Sequence, residues 1–554
     1  MTKKNKYENY TKEELIDELE TLKKKRYGLV WDRKNSQELI DAFVNWENVP
    51  ENFIPNKFPV LKEVKNKEIS TDKDKPINLL IEGDNYHSLA VLNFTHKNKI
   101  DVIYIDPPYN TGNNDFIFND NLVDKEDDFR HSKWLTFMEK RLKLAKSLLK
   151  NTGVIFISID DNEIAQLKLL MDDPDLFGEK NRKTTIIWQK KVRPSNKNED
   201  SFSSTTEYIL MYSKTPRIVE LVKDKLSEDY IKKVYRNMDN DPRGLWRTKP
   251  LWSESNPNPR KTLILPDGKK LTKKWFISQN KLNSLFKDNL IYISSGGVLN
   301  EKIFLKEERT KNPINFLSAS LVGTTEEATK ELKNLFATEK NIFSNPKPVR
   351  LIKYLLSKIN NKSATALDFM AGSGTTGHAI LELNKEDNGN RKFILCTNNE
   401  NNICTDICYP RIEKVIKGYK NAKKEKIDGL GGNLKYLKTD FVGAQPTDKN
   451  KRGLVNNSAE MICIREDIFD LVAENNLDWK IYQKGKKYLG IVFNEEAIED
   501  FKQAANKFKG QFIIYCFSYT ETPPEKEFAD LKNKHRLEPI PEIILKVYRE
   551  IFKK

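Results

Sequence analysis

The stretch Val102-Ile103-Tyr104-Ile105-Asp106-Pro107-Pro108-Tyr109 decides how this chain folds and where its first candidate site lies. Residues 102–105 form an apolar run of β-branched and aromatic side chains, which predicts a buried strand. The two prolines fix their own φ and have no backbone N–H, so neither a strand nor a helix continues through them. The stretch therefore predicts a rigid loop at the carboxyl end of a strand, where open α/β sheets bind ligands.

The chemical groups of this loop suit a planar heterocycle that carries an amino group. The ring of such a ligand stacks on Tyr109, and its amino hydrogens point at Asp106 and at the carbonyl of Pro107. Pro108 keeps the loop rigid. The alternative is a proline-rich turn whose tyrosine fills a gap in the core.

The composition describes a soluble globular protein with more than one domain, since the chain has 554 residues, of which 38% are hydrophobic and 32% charged. No apolar run approaches the roughly 18–20 residues of a membrane span, and the start lacks a signal peptide, so we expect a cytoplasmic protein without membrane contact. Five scattered cysteines predict neither a disulfide framework nor a zinc site. The net charge of +15 weakly favours a polyanionic partner.

Strands and helices alternate around the first motif. Residues 77–84 predict a strand that ends in Asp84, and a helix follows from Asn85. A second helix opens near Ser132, and residues 154–159 predict a further strand. This rhythm predicts a doubly wound α/β core. Asp84 either binds the amine of a ligand or caps the helix that follows it.

A second motif, Ala366-Leu367-Asp368-Phe369-Met370-Ala371-Gly372-Ser373-Gly374-Thr375-Thr376-Gly377, predicts a strand, a glycine-rich turn and a helix. Glycines let the backbone approach a ligand closely, and the N–H groups at the start of a helix favour a carboxylate. After the next predicted strand, 392–397, Glu400 is placed to hold a ribose through its two hydroxyls. The alternative is that Asn399 and Glu400 cap a helix.

Residues 180–335 break this rhythm and are rich in turns and basic residues. Between Asp241 and Phe276 there are nine Lys or Arg against three acids, interleaved with three tryptophans. Basic side chains neutralise phosphates and flat side chains contact bases, so we expect a module that binds nucleic acid. The alternative is a solvated basic face with tryptophans in the core. The predicted DNA contacts are Arg182, Lys190, Lys191, Arg193, Arg243, Arg247 and Lys249.

Both motifs resemble those of enzymes that methylate amino groups in DNA. Asp-Pro-Pro-Tyr resembles their catalytic loop, and Asp in its first position favours adenine N6 within that family. The stretch Asp368-Phe369-x-x-Gly372-x-Gly374-Thr375 resembles their loop for S-adenosyl-L-methionine (AdoMet). The catalytic loop precedes the AdoMet loop, with the basic insert between them, an order that resembles the β class. The family usually has an aromatic residue at the position of Met370, so either Phe369 or Met370 covers the cofactor.

Further stretches resemble a narrower family, the modification (Mod) subunits of type III restriction–modification systems. They are residues 27–31, 240–246, 393–395, 399–403 and 409–412. The resemblance implies an obligate homodimer, double-stranded DNA as substrate and a restriction (Res) helicase–nuclease subunit as partner. This chain is toward the short end for a Mod subunit, which also leaves a solitary methyltransferase open.

The resemblance implies a Rossmann-like α/β core with a seven-stranded, mostly parallel sheet, an inserted target-recognition domain and a small C-terminal α/β domain. The expected divisions are a helical arm and connector (1–75), the catalytic half of the core (76–215), the target-recognition domain (216–335), the AdoMet-binding half (336–445) and the C-terminal domain (446–554). An amphipathic helix at 11–35 packs on the core or contacts a second copy.

The implied reaction is methyl transfer from AdoMet to a flipped adenine N6, with no metal. Its catalytic residues are Asp106, Pro107, Pro108 and Tyr109. The residues expected to bind AdoMet are Asp84, Asp106, Lys347, Asp368, Phe369, Met370, Ala371, Gly372, Ser373, Gly374, Thr375 and Glu400, with Lys347 on the carboxylate. Asp440 competes with Asp84 for the cofactor adenine. The alternatives are methylation of cytosine N4 and a non-catalytic subunit that directs a nuclease to DNA.

Overall fold

The computed structural model describes Thr11 and residues 57–552, apart from Lys73, 113–116, 119–120, 123–129, 195–201, Ile218, 306–309 and Asn476. The predicted helix at 11–35, the motif at 27–31 and most of the predicted arm and connector lie outside the described residues. The chain divides into two compact units. Unit 2 is Leu221–Ile314, and unit 1 contains the residues before and after it. The predicted domain boundaries themselves stay a prediction.

The first half of unit 1 alternates strands with helices, as predicted. Its elements are β1 (Lys57–Glu63), β2 (Ile69–Ser70), β3 (Ile77–Glu82), α1 (Asn85–Thr95), β4 (Ile100–Ile105), β5 (Ile117–Phe118), β6 (Asn121–Leu122), α2 (Arg130–Leu148), β7 (Leu149–Ile159), α3 (Ile164–Asp172), β8 (Arg182–Gln189) and β9 (Thr206–Ser213). Strand β4 is buried along almost all of its length, as expected for a strand covered on both faces of a sheet.

Unit 2 is a separate small α/β body. Its elements are β10 (Asp224–Lys225), α4 (Glu228–Val234), β11 (Trp246–Pro250), β12 (Lys261–Ile264), β13 (Lys270–Lys273), α5 (Gln279–Lys287), β14 (Ile291–Ile293), β15 (Leu299–Phe304) and β16 (Thr310–Lys311). Trp246 and Trp275 are buried, whereas Trp252 is half-buried with Lys273 Nζ 4.2 Å from its ring centre. Two of the three tryptophans therefore belong to the core of unit 2, which was the alternative for these residues.

The second half of unit 1 returns to the alternating pattern. Its elements are β17 (Phe316–Leu317), α6 (Ala319–Val322), α7 (Thr325–Phe336), α8 (Val349–Ser357), β18 (Thr365–Asp368), α9 (Thr375–Asp387), β19 (Lys392–Thr397), α10 (Tyr409–Lys417), β20 (Gly418–Lys420), β21 (Lys426–Asp428) and β22 (Asn433–Gly443). Strand β18, the glycine-rich turn and α9 follow one another as the second motif predicts.

The main sheet has eleven strands among the described residues, in the order β1-β22-β3-β19-β18-β4-β7-β9-β8-β17, with β2 also paired to β22. The strands from β22 to β7 run parallel, and β9 is antiparallel to β7 and β8. A large mixed sheet layered with helices agrees with the predicted fold class, but the expected number of seven strands is too low. Additional strands at both edges, β1, β2 and β22 on one side and β17 on the other, extend the sheet.

The last hundred or so residues form a second sheet of their own. Its region contains α11 (Asp448–Asn456), α12 (Ala459–Glu466), β23 (Asp470–Asn475), β24 (Trp479–Lys484), β25 (Lys487–Val492), α13 (Ile498–Ala505), β26 (Gln511–Phe517), β27 (His535–Ile540) and α14 (Glu542–Phe552). We expected a separate C-terminal domain. Instead α12 and α14 pack against α1, and the Tyr548 hydroxyl donates to the carbonyl of Pro59 at 2.5 Å, so this region shares one core with the main sheet.

None of the helices in the described part of the chain combines the length and the apolar character needed to cross a membrane.

The shared core predicts that a cavity in α14 destabilises the whole of unit 1. Ile544 is fully buried in the common cluster, so Ile544→Ala should lower the free energy of unfolding by about 2–5 kcal/mol. Leu477 is 85% exposed, and Leu477→Ala serves as the control with little expected effect. Chemical denaturation measures both, and an unchanged unfolding midpoint for Ile544→Ala would contradict the shared core.

Candidate active site

The two sequence motifs meet at one point of the sheet edge. Strands β18 and β4 are parallel neighbours. The chain after β18 continues to β19 on one side, whereas the chain after β4 continues to β7 on the other side. Such a reversal of strand order opens a crevice at the carboxyl ends of the strands, where doubly wound proteins bind ligands. Asp368 ends β18 and Asp106 follows β4, so both predicted motifs border this crevice.

The Asp-Pro-Pro-Tyr loop is held against α2. The indole Nε1 of the fully buried Trp134 donates to the carbonyl of Pro108 at 2.7 Å. Because neither proline has an N–H to offer a ladder, this contact from a neighbouring helix fixes the loop. The predicted apolar face of α2 thus both fills the core and positions the loop.

Four charged or polar side chains form a network beside this loop. Lys347 Nζ lies 2.8 Å from each carboxylate oxygen of Asp106 and 3.5 Å from Oε2 of Glu207. The Tyr109 hydroxyl lies 2.9 Å from Asp106 Oδ1 and 3.1 Å from Glu207 Oε2. In this structure the ammonium group of Lys347 binds the carboxylate of Asp106, and its predicted contact with the cofactor carboxylate stays a prediction.

Glu207, which lies on β9, was not predicted from the sequence. Lys190, predicted to contact DNA, pairs with Glu207 Oε1 at 3.1 Å and is largely buried. A Glu flanked by threonine and tyrosine at the start of an apolar strand is an unremarkable surface pattern by itself. Only the pairing of β9 with β7 brings Glu207 to the edge where Asp106 lies.

The charged groups of this network shift one another's pKa values. Burial raises the pKa of Asp106, and this effect outweighs the opposing ammonium group of Lys347. Burial also opposes the charge of Glu207, but the ammonium groups of Lys347 and Lys190 outweigh burial and lower the pKa of that carboxyl. The two carboxylates raise the pKa of Lys347 although burial works in the other direction. Glu207 and Lys347 are therefore ionised at neutral pH.

The glycine-rich turn has the backbone geometry that only glycine adopts without strain. Gly372 has φ +49° and Gly374 has φ +79°, and a Cβ on Gly374 would lie 3.1 Å from the sulfur of Cys408. The side chain of Asp368 accepts from the N–H of Met370 at 3.0 Å and from the hydroxyl of Thr376 at 2.5 Å, which anchors the turn. Burial raises the pKa of Asp368 to about 7.

The turn fits a small anionic group such as the carboxylate of an amino acid. Gly374 precedes α9 and has no side chain, so it leaves the first N–H groups of that helix without a side-chain cap. Phe369 is fully buried in the core, whereas Met370 is half-buried. The sequence left open whether Phe369 or Met370 covers the cofactor. Of these two residues, Met370 is the one with exposed surface.

Arg411, from the motif at 409–412, supports the turn from the protein side. Its guanidinium is buried and donates to the hydroxyl of Ser373 at 3.0 Å and to the hydroxyl of Thr375 at 2.8 Å. Burial lowers its pKa to about 10, so it stays charged at neutral pH. The predicted ligand residues Ser373 and Thr375 therefore direct their side chains at Arg411.

Of the three acids predicted at the sheet edge, Asp84 and Asp440 have close partners within the protein. Asp84 caps α1 by accepting from the N–H of Tyr86 at 2.8 Å, which was the alternative for that residue. Asp440 pairs with Lys62. Glu400 is exposed, and next to it Asn399 accepts from the N–H groups of the following helical turn.

The predicted DNA contacts are divided between paired and exposed side chains. Arg182 pairs with Asp172 at 2.8 Å, and Arg243 of unit 2 pairs with Asp241 at 2.7 Å. Lys249 lies 3.4 Å from Glu301, Arg247 is half-buried, and Lys191 and Arg193 are exposed. Of these residues, the exposed Lys191 and Arg193 are the ones that a DNA phosphate reaches without breaking an ion pair.

A second polar cluster lies beside the Asp-Pro-Pro-Tyr loop. Asn110 has φ +55°, and its Nδ2 donates to Glu163 Oε1 at 2.6 Å and to the carbonyl of Arg130 at 3.2 Å. His131 Nδ1 lies 2.6 Å from the same oxygen of Glu163. Burial raises the pKa of Glu163 to about 8, and burial also lowers the pKa of His131. Both shifts favour the uncharged forms of the two side chains.

The fold and the site define a doubly wound α/β protein in which a glycine-rich turn and the carboxylate of Asp106 lie at the ends of neighbouring strands. The sequence profile of a DNA methylase family, N6_N4_Mtase, matches residues 100–409, more than half of the chain. The chain belongs to this DNA methylase family.

Three relatives illustrate the similarity. The type III restriction–modification enzyme StyLTI Mod subunit of Salmonella typhimurium is 36% identical over 61% of this chain and 55% of its own length. The EcoPI Mod subunit of Escherichia phage P1 is 32% identical over 68% of this chain and 64% of its length. The type II methyltransferase M.KpnI of Klebsiella pneumoniae is 31% identical over 65% of this chain and 90% of its length. The chain thus spans between about half and two thirds of the length of these Mod subunits.

Two solved structures resemble parts of the chain. They are the PvuII DNA methyltransferase (cytosine-N4-specific), with a TM-score of 0.32, 12% identity and coverage of 62% of this chain and 94% of that one, and the M1.HpyAVI–SAM complex, with a TM-score of 0.29, 13% identity and coverage of 61% and 98%. Both TM-scores are low, so the strand order described above does not depend on these structures.

The buried Glu163 predicts a pH-dependent stability. Its pKa is about 8 in the folded chain and about 4.3 when unfolded, so the folded state holds a proton that the unfolded state releases. Wild-type stability should therefore fall as the pH rises from about 4 toward 8. Glu163→Gln keeps an acceptor oxygen and cannot ionise, so its melting temperature should rise relative to wild type over the same window.

Thermal unfolding at several pH values measures this difference. The control is Glu179→Gln, because the side chain of Glu179 is 74% exposed. A constant difference in melting temperature between Glu163→Gln and wild type across the window would show that Glu163 is ionised in the folded chain.

Proposed function

We propose that the chain is a site-specific DNA methyltransferase that modifies adenine N6 in duplex DNA, as the modification subunit of a type III restriction–modification system. The observation that carries this proposal is the position of the Asp106 carboxylate in the same crevice as the glycine-rich turn that ends at Gly374. The membership of the chain in a DNA methylase family supports it.

The target adenine must leave the duplex to reach this crevice, which costs a few kcal/mol. Stacking of the extruded base on Tyr109 returns about 1–3 kcal/mol. Asp106 and the carbonyl of Pro107 accept the two N6 hydrogens and thereby direct the nitrogen lone pair out of the ring plane. Positioning and electrostatics supply the rate, and this scheme uses no covalent enzyme intermediate.

The turn after β18 is the proposed AdoMet site. Gly372 and Gly374 allow close approach of the backbone, the start of α9 faces the carboxylate, Met370 borders the cofactor, and Glu400 is the proposed ribose ligand. When bound, AdoMet supplies the electrophilic methyl group. Asp368 and Arg411 hold the turn in the shape that receives it.

The proposed assembly follows the Mod subunits that the chain resembles. Unit 2 is the proposed target-recognition domain, and the exposed Lys191 and Arg193 of unit 1 are proposed phosphate contacts. A homodimer and a Res helicase–nuclease partner complete the proposal, and the protein acts in the cytoplasm. A non-catalytic recognition subunit is the less favoured alternative, because it has no need for the buried network around Asp106.

Methylation of cytosine N4 is the second candidate function. The matched family bears both N6 and N4 in its name, and the loop groups of Asp106 and Pro107 suit either exocyclic amine. Digestion of DNA methylated by the purified chain, followed by mass analysis of the nucleosides, separates N6-methyladenine from N4-methylcytosine. The proposal expects N6-methyladenine.

Replacing Asp106 tests the catalytic assignment. Asp106→Ala should reduce methyl transfer at least about 100-fold, because the target amine loses its acceptor and its orientation, while DNA binding remains. Radiolabel transfer to DNA and a gel-shift titration measure the two effects. Asp175→Ala, at an exposed position, is the control, and full activity of Asp106→Ala would remove Asp106 from the mechanism.

Replacing Gly372 tests the cofactor assignment. Gly372 has φ +49°, and a Cβ there would lie 3.1 Å from Phe343 Cζ, so Gly372→Val should distort the turn and weaken AdoMet binding at least about tenfold, or 1.4 kcal/mol. Gly268→Val is the matched control, because Gly268 also has a positive φ (+82°) but no atom within 4 Å of the added Cβ. Calorimetric titration measures both, and wild-type affinity in Gly372→Val would contradict the assignment of the turn.

A further inference from the structure

Three hydrogen bonds from within the protein already reach the carboxylate of Asp106. Oδ1 of Asp106 accepts from the Tyr109 hydroxyl and from Lys347, and Oδ2 accepts from Lys347 as well. A carboxylate offers about four lone-pair positions in all. Three of these positions are taken, so only one position on Oδ2 is left for the target amine unless one of these donors finds another acceptor.

Glu207 is the acceptor within reach of both donors. The Tyr109 hydroxyl has a single proton and lies 2.9 Å from Asp106 Oδ1 and 3.1 Å from Glu207 Oε2. Rotation of the O–H bond alone therefore moves this hydrogen bond from Asp106 to Glu207. Lys347 has three N–H donors and is already 3.5 Å from the same oxygen of Glu207, so a small shift of its ammonium group completes the exchange.

We propose that Glu207 is a positioning residue that takes the Tyr109 hydroxyl and the Lys347 ammonium group from Asp106 when the target amine enters. This inference rests on the proposed function, since the entering group is the exocyclic amine of the target base. The exchange forms and breaks hydrogen bonds only and transfers no proton between the residues. It frees Asp106 Oδ1 for the amine while no buried donor loses its partner, a condition that matters because a buried unpaired group costs about 1–3 kcal/mol.

Lys190 makes the exchange possible by keeping Glu207 in place and ionised. Its Nζ lies 3.1 Å from Glu207 Oε1, the oxygen that faces neither Tyr109 nor Lys347. The N–H of Lys190 also donates to the carbonyl of Thr205 at 2.9 Å, which fixes the end of β8 against the start of β9. With Lys190 and Lys347 opposite Asp106 and Glu207, the network holds two positive and two negative charges and stays neutral during the exchange.

The charge of Glu207 has a measurable consequence for Asp106. Burial and the charge of Glu207 both raise the pKa of Asp106, whereas Lys347 and the hydroxyl of Tyr109 lower it. The other titratable groups that face the network are Tyr104, Asp160 and Asp368. Removing the charge of Glu207 should therefore lower the pKa of Asp106.

The test is a pH profile of kcat and KM on an oligonucleotide duplex that the wild type methylates. Glu207→Gln should lower kcat about ten- to a hundredfold with little change in KM for DNA. It should also move the acidic limb of the kcat profile to lower pH, because the remaining Asp106 ionises more readily. Glu207→Asp keeps the charge and should restore part of kcat, whereas Lys190→Met should lower kcat, because Glu207 then loses the partner that holds its carboxylate in place.

Glu466→Gln is the matched control, since Glu466 accepts from the hydroxyl of Tyr515 at 2.6 Å and from Arg536 at 3.3 Å in the C-terminal region. It should leave both kcat and the pH profile at wild-type values. Melting temperatures and AdoMet affinity by calorimetry establish that each variant is folded. If Glu207→Gln does not fold, Lys190→Met tests the same network, and a wild-type kcat in that variant would contradict the inference.

Two results would overturn the inference while leaving the proposed function intact. One is an acidic limb of kcat that stays at its wild-type pH in Glu207→Gln. The other is a loss of activity that lies wholly in KM for DNA. A wild type that transfers no methyl group to DNA would remove the proposed function and this inference together.

Discussion

Strands β18 and β4 lie side by side, and the chain leaves them toward opposite sides of the sheet. In doubly wound sheets, right-handed connections place the helices that follow such strands on opposite faces, which leaves a crevice between the two strands. Every feature of the site depends on this arrangement. The turn that begins at Asp368 and the loop that begins at Asp106 are more than 250 residues apart in the chain, and they meet because their strands are neighbours.

The buried charges around Lys347 are the second constraint. Taking four charged groups out of water is costly unless each finds a partner, and a pair that loses one member is strongly destabilised. Here Asp106, Glu207, Lys190 and Lys347 satisfy one another. This mutual satisfaction stabilises the network. It also means that any ligand amine competes with groups that are already bound, so the donors need a second acceptor.

Several acids and cations that the sequence marks as ligands serve the fold instead. Asp84 caps α1, Asp440 pairs with Lys62, and Arg182 is held by Asp172. A pattern of residues shows that an acid follows a strand or that a basic residue lies in a polar segment. It does not show which donor or acceptor is closest, because that partner comes from a distant part of the chain. The polar cluster of Asn110, Glu163 and His131 beside the loop escaped the sequence analysis for the same reason.

The sequence by itself determined the features that depend on local chemistry. Two prolines end β4, and glycines at 372 and 374 allow the positive φ of the turn. The periodic apolar residues of the strands and helices predict the α/β core. Only the tertiary structure decided the features that depend on strand order and packing. It added strands at both sheet edges, joined the C-terminal region to the main core and placed Glu207 beside Asp106. The physical reason is that backbone preferences depend on each residue and its neighbours in the chain. The partner of a buried charge depends instead on the register of strands that are far apart in the chain.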